Sequence, residues 1–253
     1  MAEVIRVAVA GAGGRMGRET AAAIQAESDL ELVAAINRGD SLADILAATK
    51  PAVLVDFSVP DSIVDSIEAA LSAGAVPIVG TTGLSQSDIA TVRELCCQYK
   101  MGALIAPNFA VGALLMMRFA RDAAKYLPDA EIIEMHHEKK LDAPSGTAAK
   151  TAEMIAEGRA EAAPTVLPAD AVEKIAGARG GKGEGDVPIH SVRLPGFVAS
   201  QMVIFGGPGQ TLTLRHDSLD RKSFMPGVIL AIRYAPVLAT NGGDLVYGLE
   251  NLL

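Results

Sequence analysis

The sequence predicts an α/β protein in which an N-terminal, doubly wound parallel sheet is followed by a second domain of α+β type. In the N-terminal part, short runs of β-branched and aliphatic residues alternate with segments of helical composition. The connections are short and rich in glycine, which is typical of parallel strands joined through helices by right-handed crossovers. Strands are predicted at residues 4–10, 30–36, 52–57, 76–80 and 102–106.

Helices are predicted between these strands, at residues 15–26, 42–49, 61–73 and 85–99. Pro60 is well placed to open the third helix, because proline is favoured at the first helical position. Ser85 is the predicted N-cap of the fourth helix, and Asp88 completes the spacing of a capping box. These start signals support the strand–helix alternation.

After Asn108 the pattern changes. Ile132 and Ile133 lie in a predicted strand, whereas the polar, glycine-rich residues 178–188 predict a mobile loop. The other predicted elements are helices at 111–126, 145–160 and 226–238 and strands at 189–194, 201–206 and 210–216. This order indicates helices packed on a mixed, open sheet.

Composition and charge exclude several classes of function. The chain has 253 residues and a formal net charge of −8, whereas a general nucleic-acid or anionic-membrane role usually requires a basic excess. The apolar runs are far shorter than the roughly 20 residues that span a bilayer, and no signal-peptide pattern opens the sequence. Cys96 and Cys97 are adjacent, so they are poorly placed to bridge each other, and sparse cysteine suits a reducing compartment. A cytoplasmic protein is predicted.

A glycine-rich segment follows the first predicted strand and opens a helix. Its glycines fit the spacing GxxGxxG at Gly11, Gly14 and Gly17, and Met16 stands where the commoner GxGxxG pattern requires its last glycine. Such a turn brings the backbone and a helix N-terminus close to a pyrophosphate. This context predicts a Rossmann-type dinucleotide site; the alternative is a tight turn required only for packing.

The second strand ends in Asn37 and Arg38, near the position where many dinucleotide-binding folds carry an acid that binds the adenosine ribose. A carboxylate would repel a 2′-phosphate, whereas Asn37 does not and Arg38 can pair with one. The sequence therefore favours NADPH, or the use of both NADPH and NADH. The alternative is a surface arginine without a ligand. Two further loops, 80–83 and 106–112, also lie at predicted strand ends.

Titratable side chains are concentrated in the segment EMHHEKKLDAPSGTAAK, residues 134–150. Pro144 precedes a predicted helix start, where the amides of Ser145, Gly146 and Thr147 would be free to bind a carboxylate. Asp142 is expected to hold the turn. A solvated run of charges is the alternative interpretation.

Strand geometry makes a specific demand on this segment. Adjacent side chains of a strand point to opposite faces, so His136 and His137 are not expected to bind one metal ion. On a straight strand, His136 and Lys140 would lie roughly 13 Å apart. We therefore predict that the strand ends near His137 and that the chain bends back to bring Lys140 to the site.

Four motifs, VAGAGGRMGR, GTTG, APNF and HHEKKLDAPSGTA, occur in order along nearly the whole chain. Together they resemble the bacterial dihydrodipicolinate reductase family, and the last motif is the most specific. The resemblance implies a homotetramer of two-domain subunits, with residues 1–107 and 217–253 forming the dinucleotide-binding domain and 108–216 the substrate-binding and tetramerisation domain. Many members carry glutamate where Asn37 stands, and some carry histidine where Gln201 stands.

The resemblance also implies roles for particular residues. It places the catalytic histidine at His136 and the catalytic lysine at Lys140, and it adds His137 to the substrate-binding residues Gly146 and Thr147. The cofactor-binding residues that it implies are Gly11, Ala12, Gly13, Gly14, Arg15, Met16, Asn37, Arg38, Gly80, Thr81, Thr82, Ala106, Pro107, Asn108 and Phe109.

The implied reaction is hydride transfer from NADPH or NADH to a cyclic imine that carries two carboxylates, in lysine and diaminopimelate biosynthesis. The charge that develops on the ring must then be neutralised by a proton, and histidine titrates in the appropriate range. Two alternatives remain: another two-domain nicotinamide oxidoreductase acting on an amino-acid-derived acid, or a dinucleotide sensor without catalysis. A sensor would not require the cluster of His136, His137 and Lys140.

Overall fold

The computed structural model describes residues 4–81, 83–159, 164–165 and 172–253. Within these residues the strands are β1 (Ile5–Ala10), β2 (Leu30–Ile36), β3 (Val53–Asp56), β4 (Val76–Val79), β5 (Ala103–Ile105), β6 (Asp129–His136), β7 (Gly181–Lys182), β8 (Pro188–Arg193), β9 (Ala199–Gly207), β10 (Gln210–Ser218) and β11 (Leu245–Tyr247). The α-helices are α1 (Arg15–Ala26), α2 (Leu42–Thr49), α3 (Ile63–Ser72), α4 (Gln86–Tyr99), α5 (Val111–Ala124), α6 (Gly146–Gly158) and α7 (Met225–Leu238).

The chain divides into two compact units. The first contains the described residues up to Val111 together with Arg221–Leu253, and the second is Gly112–Asp220. The long excursion between the two parts of the first unit explains why its last helix and strand lie so far along the sequence.

The first unit is a parallel sheet in the strand order β2-β1-β3-β4-β5-β11. Helix α7 packs with α1, while α3 packs with both α2 and α4. The last four residues of β1 and all of β3 are buried, as expected when helices cover both faces of a parallel sheet. The strand order reverses direction between β1 and β3, which is where ligands bind in sheets of this type.

The second unit is a mixed sheet in the order β10-β9-β6-β8-β7. Its central strand β6 runs antiparallel to β9 and parallel to β8. Gly158 near the end of α6 lies against α5, because a Cβ there would stand 2.2 Å from the Arg121 carbonyl oxygen. The predicted α/β architecture, a Rossmann-type sheet followed by a mixed sheet, is thus confirmed.

Several sequence predictions require correction. Residues 178–188 are not wholly a loop, because Gly181–Lys182 form the short edge strand β7 paired with β8. Residues 60–62 form a 3₁₀ turn that Pro60 opens before α3 begins. The tail supplies an additional strand, β11, that pairs in parallel with β5. Helix α4 has the predicted capping box between Ser85 and Asp88.

Candidate active site

The glycine loop after β1 is shaped by close approaches at two of its glycines. Gly11 has a φ of +72°, and a Cβ there would lie 2.7 Å from the Phe57 carbonyl oxygen. Gly17 touches the loop itself, because a Cβ would stand 2.1 Å from the Gly11 carbonyl oxygen. Gly14 is the N-cap of α1 and, within the described chain, no side chain caps this helix start. The amides of Ala12, Gly13 and Gly14 donate to Ile36, Asn37 and Gly11. The donors that remain for a pyrophosphate are therefore the amides at the start of α1.

Asn37 is joined directly to this loop. Its Oδ1 accepts a hydrogen bond from the Gly13 amide at 2.7 Å, and its backbone amide donates to the Asp40 carboxylate at 2.7 Å. Arg38 is exposed beside it, and the Arg18 Nε donates to the Gly13 carbonyl at 2.8 Å. The end of β2 thus presents the Asn37 side chain to the glycine loop, with the exposed Arg38 next to it, while the Asp40 carboxylate accepts from the Asn37 backbone amide.

The remaining predicted cofactor residues differ in exposure. Gly80 is packed against the Phe57 ring, which in turn makes an edge contact with Phe109 at a centroid distance of 5.8 Å. Ala106 and Phe109 are buried, Pro107 is exposed, and Asn108 accepts a hydrogen bond from the Ala110 amide at 2.8 Å.

Thr81 carries the clearest sign of a missing polar partner in this unit. Its Oγ1 is buried and finds no hydrogen-bond partner among the described residues, although buried hydroxyls are usually satisfied. Thr82 lies outside the described residues. The orphaned hydroxyl and the shape of the glycine loop both fit a bound dinucleotide.

A cluster of charged side chains in the second unit begins at the end of β6. The Glu134 side chain is fully buried, and both of its oxygens accept from Arg193 on β8, at 2.9 and 2.7 Å. Its Oε2 lies 2.5 Å from Nδ1 of His136. The order of the strands explains this arrangement, since His136 and Arg193 are partners in the register of β6 and β8.

The predicted bend after His137 is confirmed. Strand β6 ends at His136, and the Lys140 amide donates to the His137 carbonyl at 3.1 Å, which closes a turn. The Lys140 Nζ pairs with both carboxylate oxygens of Asp142 at 2.9 Å. The Asp142 carbonyl accepts from Arg193 at 2.6 Å, so Asp142 holds the turn as predicted.

The start of α6 differs from the prediction at Ser145. This residue is buried, its hydroxyl caps α6 by accepting from the Ala148 amide, and its own amide donates to Glu134 at 3.3 Å. The Ser145 amide is therefore not a free donor, because the buried carboxylate needs it. Gly146 is exposed, and a Cβ added there would meet nothing within 4 Å, so the helix start is open at that point.

A further set of hydrogen bonds joins α6 to strand β9. Gln201 Nε2 donates to Thr151 Oγ1 at 2.7 Å, and the Thr151 hydroxyl donates to the Thr147 carbonyl at 2.7 Å. Gln201 lies opposite Glu134 in the register of β9 and β6. Its buried Oε1 has no protein partner among the described residues.

Burial and the neighbouring charges shift the pKa values of His136 and Glu134. Burial lowers the pKa of His136 below its usual value, and the positive charges of Lys140 and Arg193 act in the same direction, while the bond to Glu134 opposes them. Burial alone would raise the pKa of Glu134, but hydrogen bonds from Arg193, Ser191 and His136 lower it. The unliganded site thus holds an ionised carboxylate beside a neutral imidazole at neutral pH.

Sequence reasoning missed Glu134 and Arg193 as parts of the site. Glu134 lies at the start of the segment that drew attention, and alternation along β6 places it on the same face as His136. That spacing was an available signal. Arg193 is 59 positions from Glu134 and carries no local motif, so only the pairing of β6 with β8 reveals it.

The described residues lack two kinds of feature. They contain no group of three or more His, Cys, Asp or Glu side chains placed to hold a metal ion. Across the same parts of the chain, no helix is both long and apolar enough to cross a membrane.

The parallel sheet with its glycine loop, together with a separate unit carrying a histidine, a lysine and a helix start, defines a two-domain nicotinamide-dependent oxidoreductase. Residues 5–109 match the family description "Dihydrodipicolinate reductase, N-terminus", and residues 112–253 match "Dihydrodipicolinate reductase, C-terminus". The chain belongs to the dihydrodipicolinate reductase family.

Individual relatives agree with this assignment. The chain is 50% identical to a 4-hydroxy-tetrahydrodipicolinate reductase of Desulfitobacterium hafniense, with 98% of each chain covered. It is 52% identical to the protein of that name from Geobacillus kaustophilus, covering 98% of this chain and 99% of the relative. It is also similar to the structure of a dipicolinate-bound dihydrodipicolinate reductase from Paenisporosarcina sp. TG-14, with a TM-score of 0.86, 41% identity, and coverage of 99% of this chain and 100% of that one. The chain is thus an oxidoreductase of a family that uses NADH or NADPH in lysine and diaminopimelate biosynthesis.

Proposed function

We propose that this enzyme reduces the cyclic imine derived from 4-hydroxy-tetrahydrodipicolinate to tetrahydrodipicolinate. In this reaction His136 donates the proton, and Lys140 stabilises the negative charge that develops on the ring. The observation that carries the proposal is the double attachment of Glu134, which holds His136 through one oxygen and the amide of Ser145 through the other. A proton-transfer group and the start of an anion-binding helix are therefore parts of one rigid cluster. The name of the relatives and the dipicolinate bound to one of them support a small dicarboxylate as the substrate.

The second unit supplies the positive potential that such a substrate needs. The whole chain carries a net charge of −8, so a dianion requires locally concentrated cations and amide donors. Lys140 and the exposed His137 follow β6 directly, and the exposed Gly146 and the partly buried Thr147 open α6. We assign substrate carboxylate binding to His137, Gly146 and Thr147, while Ser145 acts by capping the helix.

Proton delivery follows from the ionisation of the cluster. In the unliganded site the pKa of His136 is below its usual value, chiefly because the imidazole is buried. A bound dicarboxylate adds negative charge beside the ring, which favours the imidazolium. The bound substrate therefore charges the residue that donates the proton, and Lys140 stabilises the negative charge that develops on the ring.

The first unit supplies the cofactor site. Gly11, Ala12, Gly13, Gly14, Arg15 and Met16 hold the pyrophosphate, Asn37 and Arg38 the adenosine ribose and its phosphate, and Gly80, Thr81, Thr82, Ala106, Pro107, Asn108 and Phe109 the nicotinamide side. When bound, the reduced nicotinamide supplies the hydride. The neutral Asn37 and the exposed Arg38 favour acceptance of NADPH alongside NADH.

We also propose that the enzyme is a cytoplasmic homotetramer in which residues 108–216 carry the substrate-binding and tetramerisation functions. Family membership supports the tetramer. The exposed outer strand β10, at one edge of the sheet of the second unit, leaves backbone groups available for pairing.

A coupled assay tests the reaction. The preceding synthase with pyruvate and aspartate semialdehyde generates the unstable substrate, and oxidation of NADPH or NADH is followed at 340 nm. We expect absorbance loss that depends on the synthase and that falls strongly for His136→Ala. Cofactor binding without any oxidation would indicate a sensor, and oxidation only with another amino-acid-derived acid would indicate a different oxidoreductase.

A further inference from the structure

Glu134 is a buried carboxylate with a full set of polar partners. Its side chain is fully buried, yet one oxygen accepts from Arg193 Nη1 and faces Nδ1 of His136, while the other accepts from Arg193 Nη2 and the Ser145 amide. A buried carboxylate is strongly disfavoured unless it is paired and hydrogen-bonded. Every partner here is a donor, so the group is built to stay ionised.

We propose that Glu134 is a positioning residue for the reduction: it holds Nδ1 of His136 and leaves Nε2 as the atom that exchanges a proton with the substrate. The same carboxylate fixes Ser145, and with it the start of α6. This inference rests on the proposed function, and it deepens it by assigning a protonation pattern to the imidazole.

The choice of ring nitrogen follows from hydrogen-bond chemistry. An ionised carboxylate only accepts, so the His136 nitrogen that lies 2.5 Å from Glu134 must carry the hydrogen. In the neutral ring the other nitrogen, Nε2, is then unprotonated, and it is the atom that gains the proton when the ring becomes charged. The nitrogen held by a carboxylate thus determines which nitrogen can act on a ligand.

Arg193 helps to keep the proton on His136 rather than on Glu134. Its two terminal nitrogens bind both Glu134 oxygens, which lowers the tendency of that carboxylate to take the proton from His136. Arg193 also binds the Asp142 carbonyl at 2.6 Å, so the turn carrying Lys140 is fixed to the same ion pair. One arginine therefore links the strand end, the turn and the carboxylate.

The charged groups that act on His136 come from three places. Glu134 lies on its own strand and favours the imidazolium, whereas Arg193 on β8 and Lys140 in the following turn disfavour it. On β9 the residue opposite His136 is the uncharged Ala199. Removing Glu134 and removing Arg193 should accordingly move the titration of His136 in opposite directions.

A purely structural role makes a different prediction. If the Glu134–Arg193 pair only fastens β6 to β8, both substitutions lower stability, and neither selects a ring nitrogen of His136. The state of that ring in the wild-type enzyme, read without any turnover, separates the two interpretations.

Nitrogen-15 NMR of the histidine side chains in the full-length enzyme provides the first test, with the His136 signals assigned by their loss in His136→Gln. We expect the neutral ring of the wild type to carry hydrogen on Nδ1 and none on Nε2. A neutral ring protonated on Nε2 would overturn the proposal even if Glu134→Gln failed to fold. This result does not depend on the identity of the substrate, so it stands apart from any failure of the proposed function.

Variants provide the second test. Glu134→Gln should lower the pKa of His136 and reduce kcat about 100-fold, in the range typical of lost general acid catalysis, with a smaller change in KM. Arg193→Gln should raise the pKa of His136. The matched control is Glu131→Gln, on the same strand but bonded to His190 at 2.9 Å, and it should leave both the titration of His136 and kcat unchanged. Equal shifts in Glu134→Gln and Glu131→Gln, or shifts of the same sign in Glu134→Gln and Arg193→Gln, would refute the assignment.

Discussion

The Asn37 side chain accepts a hydrogen bond from the Gly13 amide at 2.7 Å, which ties the end of β2 to the loop that follows β1. The contact is so close that a Cβ on Gly13 would itself stand 2.7 Å from Asn37 Oδ1. The side-chain oxygen of Asn37 is therefore held by the Gly13 amide, and its side-chain nitrogen is left to donate. A donor at this position suits a phosphate on the adenosine ribose, whereas a carboxylate would repel one.

Replacement of Asn37 by aspartate should change the cofactor preference. The new carboxylate still accepts from Gly13 but adds a negative charge beside the 2′-phosphate. We expect kcat/KM for NADPH to fall about tenfold to a hundredfold, which corresponds to about 1.4–2.8 kcal/mol. The value for NADH should change little, so the ratio of the two constants serves as an internal control. A parallel loss with both cofactors would show that the substitution damages the loop instead.

Removal of the Arg38 guanidinium should weaken the binding of the same phosphate. Arg38 is exposed, and a guanidinium binds phosphate through charge-assisted hydrogen bonds. For Arg38→Ala we expect a loss of about tenfold in kcat/KM with NADPH and little change with NADH, equivalent to about 1.4 kcal/mol. Arg93→Ala, at an exposed arginine on α4, is the control. Unchanged NADPH kinetics in Arg38→Ala would remove Arg38 from the cofactor site.

Much of the first unit was predictable because parallel sheets buried on both faces leave strong local signals. Strand β3 is a continuous apolar run ending in Asp56, and α4 carries its capping box in the sequence. Strand β11 was missed because its three residues lie after the second unit and pair with β5 only in the folded chain. Local composition cannot report a partner that lies so far away along the sequence.

Close packing at the glycine loop makes a prediction about stability. Gly17→Ala would place a Cβ 2.1 Å from the Gly11 carbonyl oxygen and 2.6 Å from Ala12 Cα, both of which are backbone atoms. The helix must shift away from the loop, so we expect the free energy of unfolding to fall by about 1–3 kcal/mol, with a lower melting temperature in calorimetry. The control is Gly206→Ala on β9, where a Cβ meets nothing within 4 Å. Equal melting temperatures for the two variants would contradict this account.

The cluster around Glu134 in the second unit was only partly predictable from the sequence. The bend after His137 followed from strand geometry alone, and the turn closed by Lys140 agrees with it. The backbone amide of Ser145 was predicted to be free, but it donates to a carboxylate eleven residues earlier. Arg193 could not be predicted, for the same physical reason as β11. Its contact with Glu134 depends on the pairing of β6 with β8, and no local pattern specifies that pairing.

The ionisation of the buried cluster predicts how stability depends on pH. The folded-state pKa of His136 lies below the ordinary value of 6.5, and that of Glu134 lies below 4.5. In both cases the unfolded chain binds a proton more readily, so stability is present above the ordinary pKa and is lost as the pH falls. His216, whose pKa burial also lowers, contributes with the same sign.

We therefore expect the free energy of unfolding in urea to decrease as the pH falls through the ordinary histidine pKa of 6.5, and to decrease further below the ordinary glutamate pKa of 4.5. His136→Gln should flatten the first part of this profile, because one of the two shifted histidines is gone. His216→Gln, at the other histidine whose pKa burial lowers, should flatten the same part of the profile. An identical slope in the wild type and in His136→Gln would show that the imidazole does not contribute.

The last prediction concerns Lys140, whose ammonium is held by Asp142 through two contacts of 2.9 Å and is only partly exposed. A cation fixed in this way stabilises charge that develops during reaction more than charge already present on the substrate, so its removal should act mainly on kcat. For Lys140→Ala we expect kcat to fall about 100-fold with a modest change in KM. Thr147→Ala should chiefly raise KM, because we propose that Thr147 binds a substrate carboxylate, whose charge does not change during the reaction. Lys139→Ala, at the exposed lysine next in the chain, is the control for general loss of positive charge. If Lys139→Ala and Lys140→Ala changed kcat and KM equally, the effect would come from the general loss of positive charge rather than from the ammonium that Asp142 holds.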